Sequence, residues 1–283
     1  MTIRRTFWTL LAILLLLPVG AEGSPQTEPI RFMMDPHVHG DRIAFSYQGD
    51  IWVVERDGSG ARRLTNHLAR DASPRFSPDG RWIAFSSDRF GNYDVFLMPA
   101  QGGEPRQLTF HTTDDMVDGW TPDGQIMFVT SRHTHPFYSP MYTVGVEGGL
   151  PLPMEMDQAR NAAVSPDGRF LAFNRIGLST SRKGQRGNRT TDIYLMDRES
   201  GAITRLTDTD PEGFREWVHD ARPMWGADGM IYFVSERDGT FNLWRMAPDG
   251  GQLSQVTRHT QGGVKYPAIS NDGRTIVYTN DHD

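Results

Sequence analysis

The chain has 283 residues, 37% of them hydrophobic, with a formal net charge of −6 and no cysteine. That length is enough to bury a large core, and the negative charge excludes a general nucleic-acid binder, which needs a basic face to displace counterions from phosphate. With no cysteine, disulfides, thiolate catalysis and cysteine-ligated zinc are excluded as well.

In chain order, Arg4 and Arg5 precede an apolar run from Phe7 to Leu17, and Val19-Gly20-Ala21 supplies small residues for cleavage. Residues 1–21 therefore read as a cleavable signal peptide, which places the mature protein in the periplasm or outside the cell. The run falls short of the ~20 apolar residues a bilayer span needs, so no stable membrane span is expected after cleavage. Residues 22–34 read as a polar linker.

From there a phrase repeats. Pro74-Arg75-Phe76-Ser77-Pro78-Asp79-Gly80-Arg81-Trp82-Ile83-Ala84-Phe85 reads as strand, tight turn, strand, and it returns around Asp123, Asp167, Asp228 and Asp272. The steps between these Asp-Gly turns are 44, 44, 61 and 44 residues, the mark of a repeat architecture. Each copy parses into four strands, A to D, bounded by Asp-Gly and Gly-Gly turns with alternating β-branched and aromatic residues between them. The predicted repeats cover about 35–68, 73–111, 116–156, 161–210 and 221–260, with a partial one at 264–283. The first copy is expected to lack its opening strand, with Gly40 to Phe45 as its strand B. The last stops after strand B, which points to a fragment of a longer protein. Four-stranded units at this period bury their faces only by stacking on one another. The expected fold is all-β: a β-propeller of four-stranded antiparallel blades, about six, with the last one truncated.

In such a blade the A–B and C–D turns share one face of the disc, and the B–C loops and D-to-A connections share the other. The first face carries only short turns. The second carries the loop from Ser131 to Pro140, a basic insertion around Ser179 to Arg189, and a connection from Asp208 to Asp220 with Phe214, Trp217 and His219. Long loops in compact domains are functional or disordered. Peptide or partner contact is therefore assigned here, to His133, His135, Arg182, Lys183, Arg186, Arg189, Trp217 and His219; a merely solvated insertion is the other reading of the same charges.

The turn aspartates read as turn formers rather than metal ligands. His133 with His135, and His37 with His39, alternate as two ligands on one strand face could, but no third ligand is near in sequence, and no metal or cofactor is expected. No Gly-x-Ser-x-Gly elbow and no phosphate-binding Gly-x-x-x-x-Gly-Lys loop is present, so no catalytic residue is assigned.

Ser-Pro-Asp-Gly, then Ile-Ala-Phe, then Gly-Gly and Leu-Thr is similar to the TolB-type propeller repeat. The opening Pro36-His37-Val38-His39-Gly40-Asp41-Arg42-Ile43-Ala44-Phe45, followed by Gly49-Asp50-Ile51-Trp52, resembles the start of tricorn-type serine proteases. That resemblance implies a six-bladed N-terminal propeller that guides or filters peptides or unfolded segments towards protease domains absent from this chain. It also implies an active site beyond Asp283 and a full-length protein able to form homo-oligomers. A stand-alone TolB-like binding propeller of the envelope and the gating propeller of a prolyl-oligopeptidase-type peptidase are the other readings.

Overall fold

The computed structural model describes residues 33–132, 140–154, 156, 158–175, 191–207 and 218–280. All regular structure among them is β. The first sheet holds β1 (Met34–His39), β2 (Arg42–Tyr47), β3 (Asp50–Glu55) and β4 (Arg62–Arg63). The second holds β5 (Asp71–Phe76), β6 (Trp82–Ser87), β7 (Asp94–Pro99) and β8 (Arg106–Gln107). The third holds β9 (Asp115–Trp120), β10 (Ile126–Thr130), β11 (Met141–Gly145) and β12 (Gly148–Pro153). The fourth holds β13 (Arg160–Val164), β14 (Phe170–Asn174), β15 (Ile193–Asp197) and β16 (Ile203–Arg205). The fifth holds β17 (Asp220–Trp225), β18 (Ile231–Ser235), β19 (Asn242–Met246) and β20 (Ser254–Gln255). A two-stranded sheet of β21 (Val264–Ile269) and β22 (Ile276–Asn280) follows. Every sheet is an antiparallel meander with its strands in chain order, so five four-stranded blades and one pair make up a propeller.

The first blade is complete, against the sequence expectation. Its strand A, β1, is Met-Asp-Pro-His-Val-His, whose polar residues and proline hide the alternation that marks a strand.

Local chemistry explains the repeated phrase. Ser77 Oγ donates to Asp79 Oδ1 at 2.6 Å and accepts from the N–H of Trp82, while the N–H of Arg81 donates to Asp79. Ser165 with Asp167 and Ser270 with Asp272 repeat the arrangement. Gly80, at φ 68°, turns the corner where an L-residue is strained. These hydrogen bonds hold the carboxyls below the usual range, Asp79 at about 2.

The closing Leu-Thr is a capping device. Strand D is only two or three residues long in β4, β8, β16 and β20. The threonine hydroxyl continues the ladder by accepting an N–H of strand C: Ile51 to Thr65, Val95 to Thr109, Ile193 to Thr207 and Leu243 to Thr257, each at 2.9 Å. The same hydroxyls donate to the residue at or just before the start of strand C: Asp50, Asp94, Asp192 or Asn242.

The core lies between blades, not within them. Ala44, Ile51 and Val53 of the first blade meet Phe76, Ile83 and Phe85 of the second. Ala84, Val95 and Leu97 on the other face of the second meet Val117, Ile126 and Phe128 of the third. Ile-Ala-Phe thus sends its two large side chains one way and the alanine the other, the period-2 pattern of a sheet buried on both faces. The same layering recurs in the next three interfaces. β21 packs beside β1, and the Asn271 amide donates to Ser77 O at 2.8 Å, which joins the last sheet back to the first two.

Candidate axial binding site

Strand A of each sheet lines the axis, and each is bulged. The A–B register slips between Met34 and His37, Ala72 and Arg75, Arg160 and Ala163, Ala221 and Met224, and Lys265 and Ala268; β9 slips opposite Met127 and Phe128. In five of them a non-glycine residue takes φ between 49° and 56°: Asp35, Ser73, Asn161, Arg222 and Tyr266. Four of these stand directly before a proline, which a bulge tolerates because it needs no N–H for the ladder. Such strain, on the order of 1 kcal/mol or more per residue, persists only where the surroundings enforce it. Here it turns side chains towards the axis.

The result is a cavity of about 580 Å³ bounded by strands from all six sheets. Its mouth lies among the A–B turns, at Gly40, Pro78, Pro122, Pro166 and Asn271; its waist holds Arg75, Asp118, Asn161 and Arg222. Trp120 and Trp225 line the wall, and their indole N–H groups are committed to Arg75 O and Ala163 O, both at 3.0 Å. Each therefore presents only its ring to the cavity. The wall mixes apolar surface with charged and polar side chains, a composition able to hold a ligand in a fixed orientation.

Those polar groups also stitch the blades together. The Phe76 N–H donates to His37 Nδ1 at 3.2 Å. Arg75 donates to three carbonyls, Pro74 O at 2.9 Å, Asp118 O at 3.1 Å and Asp35 O at 3.5 Å. Asp118 Oδ2 accepts from the Ala162 N–H at 2.6 Å, and Asn174 Oδ1 accepts from the Arg222 N–H at 2.9 Å. Burial and the Arg75 charge push His37 down to about 3, so the imidazole is neutral, with its proton on Nε2. Burial pushes the Asp118 carboxyl up, opposed by the Ala162 N–H and by Arg75 and Arg222. His39, at the mouth, is also pushed down, by partial burial and Arg42, and sits 3.3 Å from the Asn271 amide.

Of the residues assigned from sequence, His133, His135, Arg182, Lys183, Arg186, Arg189 and Trp217 lie outside the described residues. His219 is described, and it is buried at 2% exposure. Its Nδ1 accepts from the Thr191 N–H at 3.4 Å and its Nε2 lies 3.8 Å from Glu236 Oε1, beside the start of β17. Among the described residues no group of three or more His, Asp or Glu is placed to hold a metal ion. His37 and His39, weighed as alternating ligands, instead serve the cavity wall. The axial residues Arg75, Asp118 and Arg222 were missed. A signal for Arg75 and Arg222 was present, though none for Asp118: a proline stands five residues before Asp79 and Asp228, as it does before Asp272, marking the bulge.

Residues 30–283 match the tricorn protease N-terminal beta propeller domain. The chain belongs to this family. It is 27% identical to a tricorn protease homolog of Streptomyces coelicolor over 259 residues, which is 90% of this chain and 23% of that protein. It spans less than a quarter of the length of the tricorn relatives it matches. A crystal structure of the tricorn protease superposes with TM-score 0.76 at 24% identity, over 88% of this chain and 24% of that one. A TolB structure from Agrobacterium tumefaciens superposes with TM-score 0.66 at 20% identity, over 88% and 91% of the two chains, a likeness of fold.

Proposed function

We propose that this chain is the non-catalytic propeller segment of a tricorn-type serine peptidase and that it binds peptides or unfolded segments and guides them through its axial cavity. The observation that carries this reading is the cavity itself: six bulged strands bring polar and charged side chains, with Trp120 and Trp225, around one axial space open among the A–B turns. The long-loop face, with His133, His135, Arg182, Lys183, Arg186, Arg189 and Trp217, serves as a second contact area, and residues 1–21 direct export to the periplasm or beyond. Among the described residues no helix is long and apolar enough to cross a membrane. A pair of strands completing the sheet of β21 and β22 would make the ring six-bladed.

Fluorescence anisotropy with labelled unstructured peptides, run beside a peptidase assay, tests the reading. Saturable binding without hydrolysis is expected; no binding, or hydrolysis abolished by a substitution within residues 33–280, contradicts it. The TolB-like fold favours one other reading, a propeller that binds a folded protein partner, and that reading predicts binding of folded protein but of no unstructured peptide.

A further inference from the structure

The layers between blades are not built alike. The one between the third and fourth blades holds Met127, Met141 and Met196 in its core, with Met154 and Met156 half-buried against it. Among the described residues the other layers hold one methionine or none: Met98, Met246 and Met224 in three of them, and none between the second and third blades. Three of the five stand where other blades carry aliphatic residues. Met127 takes the strand-B place of Ala44, Ala84 and Ala172. Its bulk fits because its partner on β9 is Gly119, where a Cβ would lie 3.4 Å from the Met127 methyl. Met154 takes the strand-D place of Leu64, Leu108 and Leu206, and Met141 that of Ile51, Val95 and Ile193. The match is shown by one hydrogen bond per blade: the N–H of Leu64, Leu108, Leu206 or Met154 donates to the carbonyl of Ile51, Val95, Ile193 or Met141, at 2.8 or 2.9 Å.

The other blades show that aliphatic side chains fill these places, so packing does not demand thioethers. What methionine adds is a flexible side chain with an oxidisable sulfur. Met127 and Met141 are sealed from solvent, whereas Met154 and Met156, at the end of the outer strand, keep part of their surface exposed. We propose that Met154 and Met156 are an oxidative modification site and that the methionine layer is a joint which hydroperoxides loosen. The thioether sulfur attacks one peroxide oxygen; an S–O bond forms as the O–O bond breaks, and water leaves with both peroxide hydrogens. Sulfur is oxidised by two electrons to the sulfoxide, and the peroxide is reduced. The sulfoxide sets a polar oxygen against an apolar layer and weakens the hold of the third blade on the fourth. Met33 and Met34, at the head of β1, are exposed and react as well, but among the described residues they belong to no such layer.

The test treats the whole chain with graded hydrogen peroxide, quenches it, maps each methionine by peptide mass spectrometry and measures thermal unfolding at every dose. Met154 and Met156 are expected to become sulfoxides while Met127 and Met141 stay reduced. The thermal midpoint should fall by about 2–4 °C in step with Met154 and Met156, not with Met33 and Met34. The double variant Met154→Leu with Met156→Leu, which restores at 154 the residue of three other blades, should keep its own untreated midpoint at every dose. Four results overturn the proposal: a midpoint that tracks Met33 and Met34, an equal fall in the double variant, no fall once Met154 and Met156 are oxidised, or both staying reduced when Met33 and Met34 are fully converted. The dose series on the natural sequence decides even if the variant fails to fold.

Discussion

His37 shows how one residue couples the axial site to stability. Its pKa drops from 6.5 in the unfolded chain to about 3 in the fold, chiefly through burial. A depressed pKa contributes stability that is complete above 6.5 and is lost as pH falls towards 3, at about 1.4 kcal/mol per unit. Urea unfolding across that window should show the protein losing on the order of 2 kcal/mol by about pH 5. His37→Asn keeps an acceptor for the Phe76 N–H and removes this titration, so its stability should fall less steeply there, with the slope that remains left to other groups such as His39; an unchanged slope would move the effect elsewhere. Buried pairs give a second contrast. Asp220 is wholly buried and holds Arg237 at 2.8 Å beneath the Phe233 and Trp244 rings. Asp220→Ala should cost about 3–5 kcal/mol, because it strands a guanidinium. Arg245→Ala breaks only exposed contacts, with Asp228 and Ser254, and should cost far less.

At the scale of elements, the A–B turn carries most of the information in the repeat. Gly273 sits at φ 67°, and a Cβ there would come within 2.4 Å of the Ala227 backbone N. Gly124 has φ 84° but open space around it. Both alanine substitutions meet the left-handed penalty of about 1 kcal/mol, and Gly273→Ala should cost roughly 1–3 kcal/mol more because two backbones collide. Thermal unfolding of the two variants measures the gap; equal losses would mean the last sheet does not pack against the fifth as described. These turns were legible in the sequence because their chemistry is local: serine, aspartate and glycine satisfy one another within five residues. Strand A was not. Its bulges break the period-2 pattern, its prolines argue against a central strand, and its polar residues make sense only once six copies surround an axis. That is why β1 was not expected and why Arg75, Asp118 and Arg222 escaped notice while the loop residues did not. The Leu-Thr ending lay between these cases: visible as a repeat, but its role as a ladder extension depends on a strand C fourteen residues away.

For the whole molecule, the layered cores and the absence of helix among the described residues predict a far-ultraviolet circular dichroism spectrum of the all-β type; a dominant helical signal would rule out the propeller. The stronger consequence concerns geography. The faces of the disc divide their work: the A–B turns ring the mouth of the cavity, while the buried Asp–Arg pairs of Asp71, Asp115 and Asp220 brace the opposite rim. The wall of the cavity is therefore the surface on which a threaded peptide should leave its mark. The decisive measurement is photo-crosslinking with a diazirine-bearing unstructured peptide, mapped by mass spectrometry. Crosslinks to Trp120, Met224 and Trp225 are the expected result; crosslinks confined to the 133–139 and 176–190 segments, with the cavity wall unlabelled, would contradict the axial route.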